Sequence, residues 1–128
     1  MSEVRAQIGM VDYAVSLRSG RHSLVADEPA KLGGQDAGPA PYDLLLAGLG
    51  ACTAITLRMY AARKEWPLTD VTVDLKLERN GDNVHVARSL TFQGTLDDKQ
   101  RARLADIAER TPVTLTLKNG LTINTSYK

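Results

Sequence analysis

The stretch PYDLLLAGLGACTAITLRMYAARK, Pro41 to Lys64, leaves a chain of 128 residues few ways to fold. Proline at its start is preorganised for a first helical turn, Arg63 and Lys64 suit the negative end of a helix dipole, and Trp66-Pro67 enforces a stop. The segment therefore predicts one long helix. Up to Arg58 that helix is apolar nearly all the way round, so it should be buried in the middle of something. Ala47, Ala51 and Ala54 recur at helical spacing, with Gly48 and Gly50 among them. A glycine costs about 1 kcal/mol against alanine in a helix interior, and the close approach of another backbone is the natural compensation. A domain this small can hardly surround such a helix alone, which predicts a dimer.

On either side the period changes from helical to strand-like. Ala6, Ile8 and Met10 alternate, and Val11, Tyr13, Val15 and Leu17 continue in the opposite phase, which reads as a strand broken near Met10 to Asp12. Arg18-Ser19-Gly20-Arg21 supplies a turn, and HSLVAD returns as the second strand of a hairpin. DEPAKLGGQDAGPAP, Asp27 to Pro41, has three prolines, three glycines and no period, so it is a loop. Beyond the helix, Val71, Val73, Leu75 and Leu77 alternate with polar residues. Asn80-Gly81-Asp82-Asn83 turns the chain, and Val84, Val86, Leu90 and Phe92 keep the same period on a partner strand. Asp97 with Gln100 resembles a capping box before a second helix whose core face is Leu104, Ile107 and Ala108. TPVTLTLKNG is ambiguous by propensity, and LTINTSY reads as a closing strand. The order of elements predicts an α+β domain spanning 1–128.

Composition narrows the partners. Sixteen basic residues against fifteen acidic ones leave a net charge of +1 with the signs interspersed. Nucleic acid and anionic membrane both call for a concentrated basic surface, so neither is expected. With no uninterrupted run of about 18 apolar residues and no leader pattern at MSEVRAQIGM, a cytoplasmic location is expected. Gly33-Gly34-Gln35 matches the tripeptide of peptide-releasing factors, but the basic surface that ribosomal RNA binding requires is lacking.

The only cysteine is Cys52, inside the long helix. Leu45, Gly48, Leu49, Ile55, Thr56 and Met59 are its helical neighbours and make an apolar wall. Such a setting suits a packed, inert thiol; a reactive one needs a cationic or hydrogen-bonding group reaching it from another element. Arg18 and Arg21 are candidates because a hairpin turn can project over its neighbour, and they read equally as solvated turn residues. Asp43 sits in the first helical turn, where a carboxylate favours the dipole. His22 and His85 have no companions at ligand spacing, so neither a metal nor another cofactor is expected.

DEPAKLGGQDAGPAPYDLLLAGLGACTAITLRMYAARKEW resembles the OsmC/Ohr family of osmotically inducible and organic hydroperoxide resistance proteins, in its proline-led central helix with a cysteine after a small-residue segment. The resemblance implies an OsmC-like fold in which strand hairpins wrap a long buried central helix within an intertwined homodimer. It further implies reduction of organic hydroperoxides in oxidative-stress defence, with Cys52 as the attacking thiol. The family's second cysteine falls at Thr111 and its glutamate at Tyr42, with Asp43 about 100° further round the helix. No arginine here matches the family's N-terminal one, which leaves Arg5, Arg18 and Arg21 as possibilities. The expectation is a one-cysteine peroxidase that uses an external thiol reductant, with Thr111 and Tyr42 lining its pocket. The alternative is a dimer that binds or senses a small hydrophobic ligand or thiol without turnover.

Overall fold

The computed structural model describes residues 2–128 and divides into two compact units, Met1–Leu45 and Leu46–Lys128. Three antiparallel strands in the order β1-β2-β3 make the first unit's sheet: β1 (Arg5–Gln7), β2 (Val15–Ser19) and β3 (His22–Ala26). The predicted hairpin is present, with Val15 opposite Ala26 and Ser19 opposite His22. The expected break is wider than one bulge. Residues 8–14 lie outside any strand, with Ile8, Met10 and Val11 exposed, because their two apolar phases have no single buried face to share.

The loop after β3 is built on one side chain. Asp27 is buried to 2% exposure, and its carboxylate accepts from the backbone N–H groups of Glu28 (2.7 Å), Tyr13 (3.3 Å), Ala37 (3.1 Å) and Gln35 (3.2 Å). Burial by itself would raise the carboxyl's pKa, but those four donors outweigh it and hold the pKa below the ordinary value. The Gly33-Gly34 pair belongs to this construction. A Cβ on Gly34 would lie 2.0 Å from the Glu28 carbonyl oxygen, so the backbone passes where no side chain fits.

The long helix is α1 (Pro41–Lys64), which runs from the first unit into the second. Asp43 Oδ2 accepts from the Ala40 N–H at 3.1 Å, satisfying a backbone donor at the helix start. Twenty-four largely apolar residues are also enough to cross a membrane by length and composition, a property shared with the core helices of soluble proteins. Within its own chain α1 buries one stripe: Leu49, Thr53, Leu57 and Ala61. The expectation of a helix covered all round is met on that face alone, since Ile55 and Met59 are more than half exposed.

After α1 come β4 (Leu68–Asn80) and β5 (Asn83–Gly94), a long antiparallel hairpin closed at Gly81-Asp82. Val71, Val73, Leu75 and Leu77 are its half-buried phase, as their spacing predicts. Gly50 is where α1 comes close to this hairpin, a Cβ there falling 2.8 Å from Leu75 Cδ1; Gly48 has open space in its place. Close approach is thus required at one of the two glycines, and by a side chain.

α2 (Asp98–Ala108) begins with the expected capping box of Asp97 and Gln100. Leu57, Ala61, Leu68, Leu104 and Ala108 form the buried core, flanked by Trp66, Val71, Leu90 and Phe92. The ambiguous TPVTLTLKNG resolves as α3 (Pro112–Asn119): Thr111 caps it by accepting from the Thr114 N–H, and Pro112 occupies the first position. Start signals thereby outweigh the β-branched composition. The expected closing strand is absent. Residues 120–128 form no strand, and Leu121, Ile123 and Tyr127 are exposed, because a strand needs an edge to pair with.

Candidate functional site

Cys52 is a free, half-buried thiol on α1. At helical pitch it lies about 60° from Leu49 and about 100° from Thr53, both in the buried stripe. On its other flank are Gly48, Ile55 and Met59, all exposed. The thiol therefore stands on the seam between the helix's packed face and an apolar face open to solvent.

Thr53, the next residue, is wholly buried and ties this turn to the rest of the second unit. Its hydroxyl donates to the Leu49 carbonyl at 2.7 Å and accepts from Arg88 Nη1 at 3.0 Å. Arg88 reaches in from β5 with only 11% of its side chain exposed. Nη1 also donates to Thr114 Oγ1 at 2.9 Å, while Nη2 donates to the Ala108 carbonyl (2.9 Å) and to Glu109 Oε2 (3.1 Å). One guanidinium thus joins α1, the end of α2 and the start of α3. The Ala108 carbonyl has no successor turn to bond with, and Arg88 satisfies it.

The hydroxyl protons follow from this geometry. Thr114 Oγ1 accepts from Arg88 and donates to the Ala108 carbonyl at 3.2 Å. Its single proton being spent, the 2.6 Å contact between Thr111 Oγ1 and Thr114 Oγ1 must be donated by Thr111. Thr111 Oγ1 in turn accepts from the Thr114 N–H at 3.3 Å. No buried side-chain polar atom among the described residues is left without a partner.

Glu109 closes the solvent side of the cluster. Lys118 Nζ sits 2.9 Å from its Oε1. The hydrogen bond from Lys118, then that from Arg88, hold the Glu109 carboxyl below its ordinary pKa against an opposing effect of desolvation. Beside the cluster runs a groove of about 510 Å³ lined by Leu49, Leu77, Val86, Arg88, Glu109 and Thr114, among others. Leu49 carries the groove to within one helical turn of Cys52, which does not itself line it. Among the described residues no three His, Cys, Asp or Glu side chains gather to hold a metal ion.

The residues singled out by sequence fall into different places. Thr111 is fully buried as the α3 cap and bonds within the Arg88 cluster. Tyr42 is 57% exposed at the start of α1, and Asp43 is engaged with Ala40. Arg18 and Arg21 lie exposed on the β2–β3 hairpin of the first unit, whereas Cys52 belongs to the second. Arg88, Thr53, Thr114, Glu109 and Lys118 escaped the sequence reading. Two of them carried a signal: Arg88 stands in the phase of Val84, Val86, Leu90 and Phe92, and Thr53 in the stripe of Leu49 and Leu57. A polar residue in an apolar period needs a buried partner, and these two are each other's.

The sequence model of the OsmC-like protein family matches residues 33–126. No curated protein matches the chain. Solved structures extend the likeness to the whole fold. An OsmC-like protein of Mycoplasma pneumoniae superposes with a TM-score of 0.79 at 17% identity, covering 92% of this chain and 87% of that one. An organic hydroperoxide resistance protein OsmC of Legionella pneumophila gives 0.69 at 24% identity, covering 92% and 89%. The organic hydroperoxide resistance protein OhrB of Bacillus subtilis gives 0.63 at 22% identity, covering 93% and 92%.

Proposed function

Because this chain belongs to the OsmC-like protein family, we propose that it is a thiol-dependent peroxidase that reduces organic hydroperoxides in the cytoplasm with Cys52 as its nucleophile. The carrying observation is the state of Cys52: an unpaired, half-buried thiol on the central helix, next to an apolar surface. The names of the Legionella and Bacillus neighbours support the substrate class. The Cys52 thiolate attacks the terminal peroxide oxygen, the O–O bond breaks, and the alkoxide leaves and takes up a proton as the alcohol. Sulfur is oxidised to a sulfenic acid and the peroxide is reduced by two electrons. Thr111 offers only a hydroxyl, which cannot condense with that sulfenic acid. An external thiol therefore attacks it, releasing water and forming a mixed disulfide, and a second thiol returns Cys52 to the reduced form.

The working unit on this reading is a homodimer. Ile55, Met59 and Leu45 are exposed on α1, and Leu121, Ile123 and Tyr127 alternate as a strand would in the exposed tail. A second copy would cover both. The test is to mix reduced protein with cumene hydroperoxide and a dithiol, following peroxide consumption and intact mass. Turnover together with a one-oxygen adduct that disappears in Cys52→Ala is expected. The absence of both turnover and adduct would rule the reaction out.

The groove beside Arg88 favours a second reading, in which a small hydrophobic ligand or thiol is bound or sensed without turnover. Ligand-dependent stabilisation that survives Cys52→Ala, with no peroxide consumed, would favour it over catalysis.

A further inference from the structure

Arg88 occupies an inward phase of β5 that an apolar residue would fill at lower cost. Burying a guanidinium carries a desolvation penalty, and removing it is the simpler route to stability. Its partners are arranged unevenly. The one carboxylate, Glu109, lies on the solvent side and is shared with Lys118, while His85, exposed on β5, pairs with Glu78. Towards the interior Arg88 meets only the neutral oxygens of Thr53, Thr114 and Ala108. Its charge is therefore least compensated on the side where α1 carries Thr53, one residue from Cys52.

We propose that Arg88 is the positioning residue of Cys52: by holding Thr53 and the Thr111–Thr114 pair on one fork, it fixes the α1 turn that bears the thiol and anchors a buried cation to the residue next to it in the chain. This rests on the reading of Cys52 as a nucleophile and adds the element that supplies its support, β5. Thr53 is the link. Its hydroxyl bonds at once to Arg88 and to the Leu49 carbonyl, so the turn from Leu49 to Thr53 cannot shift without breaking one of the two bonds. Lysine is no equivalent, having a point charge without the fork that reaches four acceptors.

The test is the rate of Cys52 alkylation by iodoacetamide across pH in the native protein, for Arg88→Met, Arg88→Lys, Thr53→Val and a control, Leu57→Ala, which loosens the core outside the cluster. Thiolate is the reacting form, so the profile reports the support the thiol receives. Arg88→Met and Thr53→Val should each slow alkylation at neutral pH about tenfold and displace the profile to higher pH. The double variant should do little more than Arg88→Met alone. Arg88→Lys should recover part of the loss, and Leu57→Ala should leave the profile in place. Should Arg88→Met fail to fold, Thr53→Val decides by itself. A folded Arg88→Met or Thr53→Val with the parent profile overturns the proposal. Parent protein that consumes peroxide alongside unchanged variant profiles overturns Arg88's role alone. A responsive profile without peroxide consumption supports Arg88 and overturns the peroxidase.

Discussion

Asp27 anchors its loop with one carboxylate and four backbone donors, and this makes a prediction at the scale of a single residue. Its folded pKa lies below the ordinary carboxyl value of 3.8, so as acid is added the unfolded chain takes up a proton before the folded one does. The stabilisation is complete above that value and is lost as pH falls through the lower, folded pKa. Hydrogen exchange at the Gln35 and Ala37 amides should therefore accelerate below about pH 3.8, beyond the intrinsic change in exchange rate. Asp27→Asn should show fast exchange already at pH 7, because a neutral amide offers a single acceptor oxygen. Retained protection in that variant would mean the loop is held by other bonds. Asp27 opens DEPAKLGGQDAGPAP, where the sequence shows a loop but not its centre: proline and glycine signal turns, and which N–H groups converge on the carboxylate, those of Glu28, Gln35 and Ala37 within the loop and of Tyr13 before β2, is set by the folded backbone.

Elements took their places by signals of unequal strength. The capping box of α2 and the alternation of β4 were legible because each is a local pattern that its own neighbours satisfy. α3 was not. The β-branched residues Val113, Thr114 and Thr116 favour a strand, and only a cap whose value depends on burial offsets them. That burial comes from afar, since Thr111 and Thr114 are enclosed beside Arg88, which lies 26 positions from Thr114 in the chain. Thr111→Val removes both the cap and the proton that Thr114 accepts. It should cost about 1–3 kcal/mol, read as a lower urea midpoint at unchanged slope. An unchanged midpoint would mean that α3 is held by packing alone.

For the whole molecule, the apolar face of α1 is the unresolved demand of a single chain. Leu49, Thr53, Leu57 and Ala61 meet the chain's own core, while Ile55 and Met59 have none to meet. The homodimer proposed above predicts that Ile55→Glu, which sets a charge on that face, converts a dimer to a monomer in sedimentation equilibrium and lowers the unfolding temperature in a concentration-dependent manner. An unmodified chain that sediments as a monomer would remove this reading and return α1's open face to the solvent.

Sequence by itself determined the α+β class, the extent of α1, the β4–β5 hairpin and Cys52 as the one available thiol. Each of these depends on residues close together in the chain, through hydrogen-bond period, dihedral preference or composition. Tertiary structure alone decided which face of α1 is buried, that TPVTLTLKNG is helical, that the tail lacks a strand partner in its own chain, and that Arg88 joins Thr53 to Thr111 through Thr114. Such outcomes turn on groups that are remote in the chain, as with the donors and acceptors of the Arg88 cluster that meet from 26 and 35 positions apart, and no local period encodes which buried hydroxyl a buried guanidinium will meet.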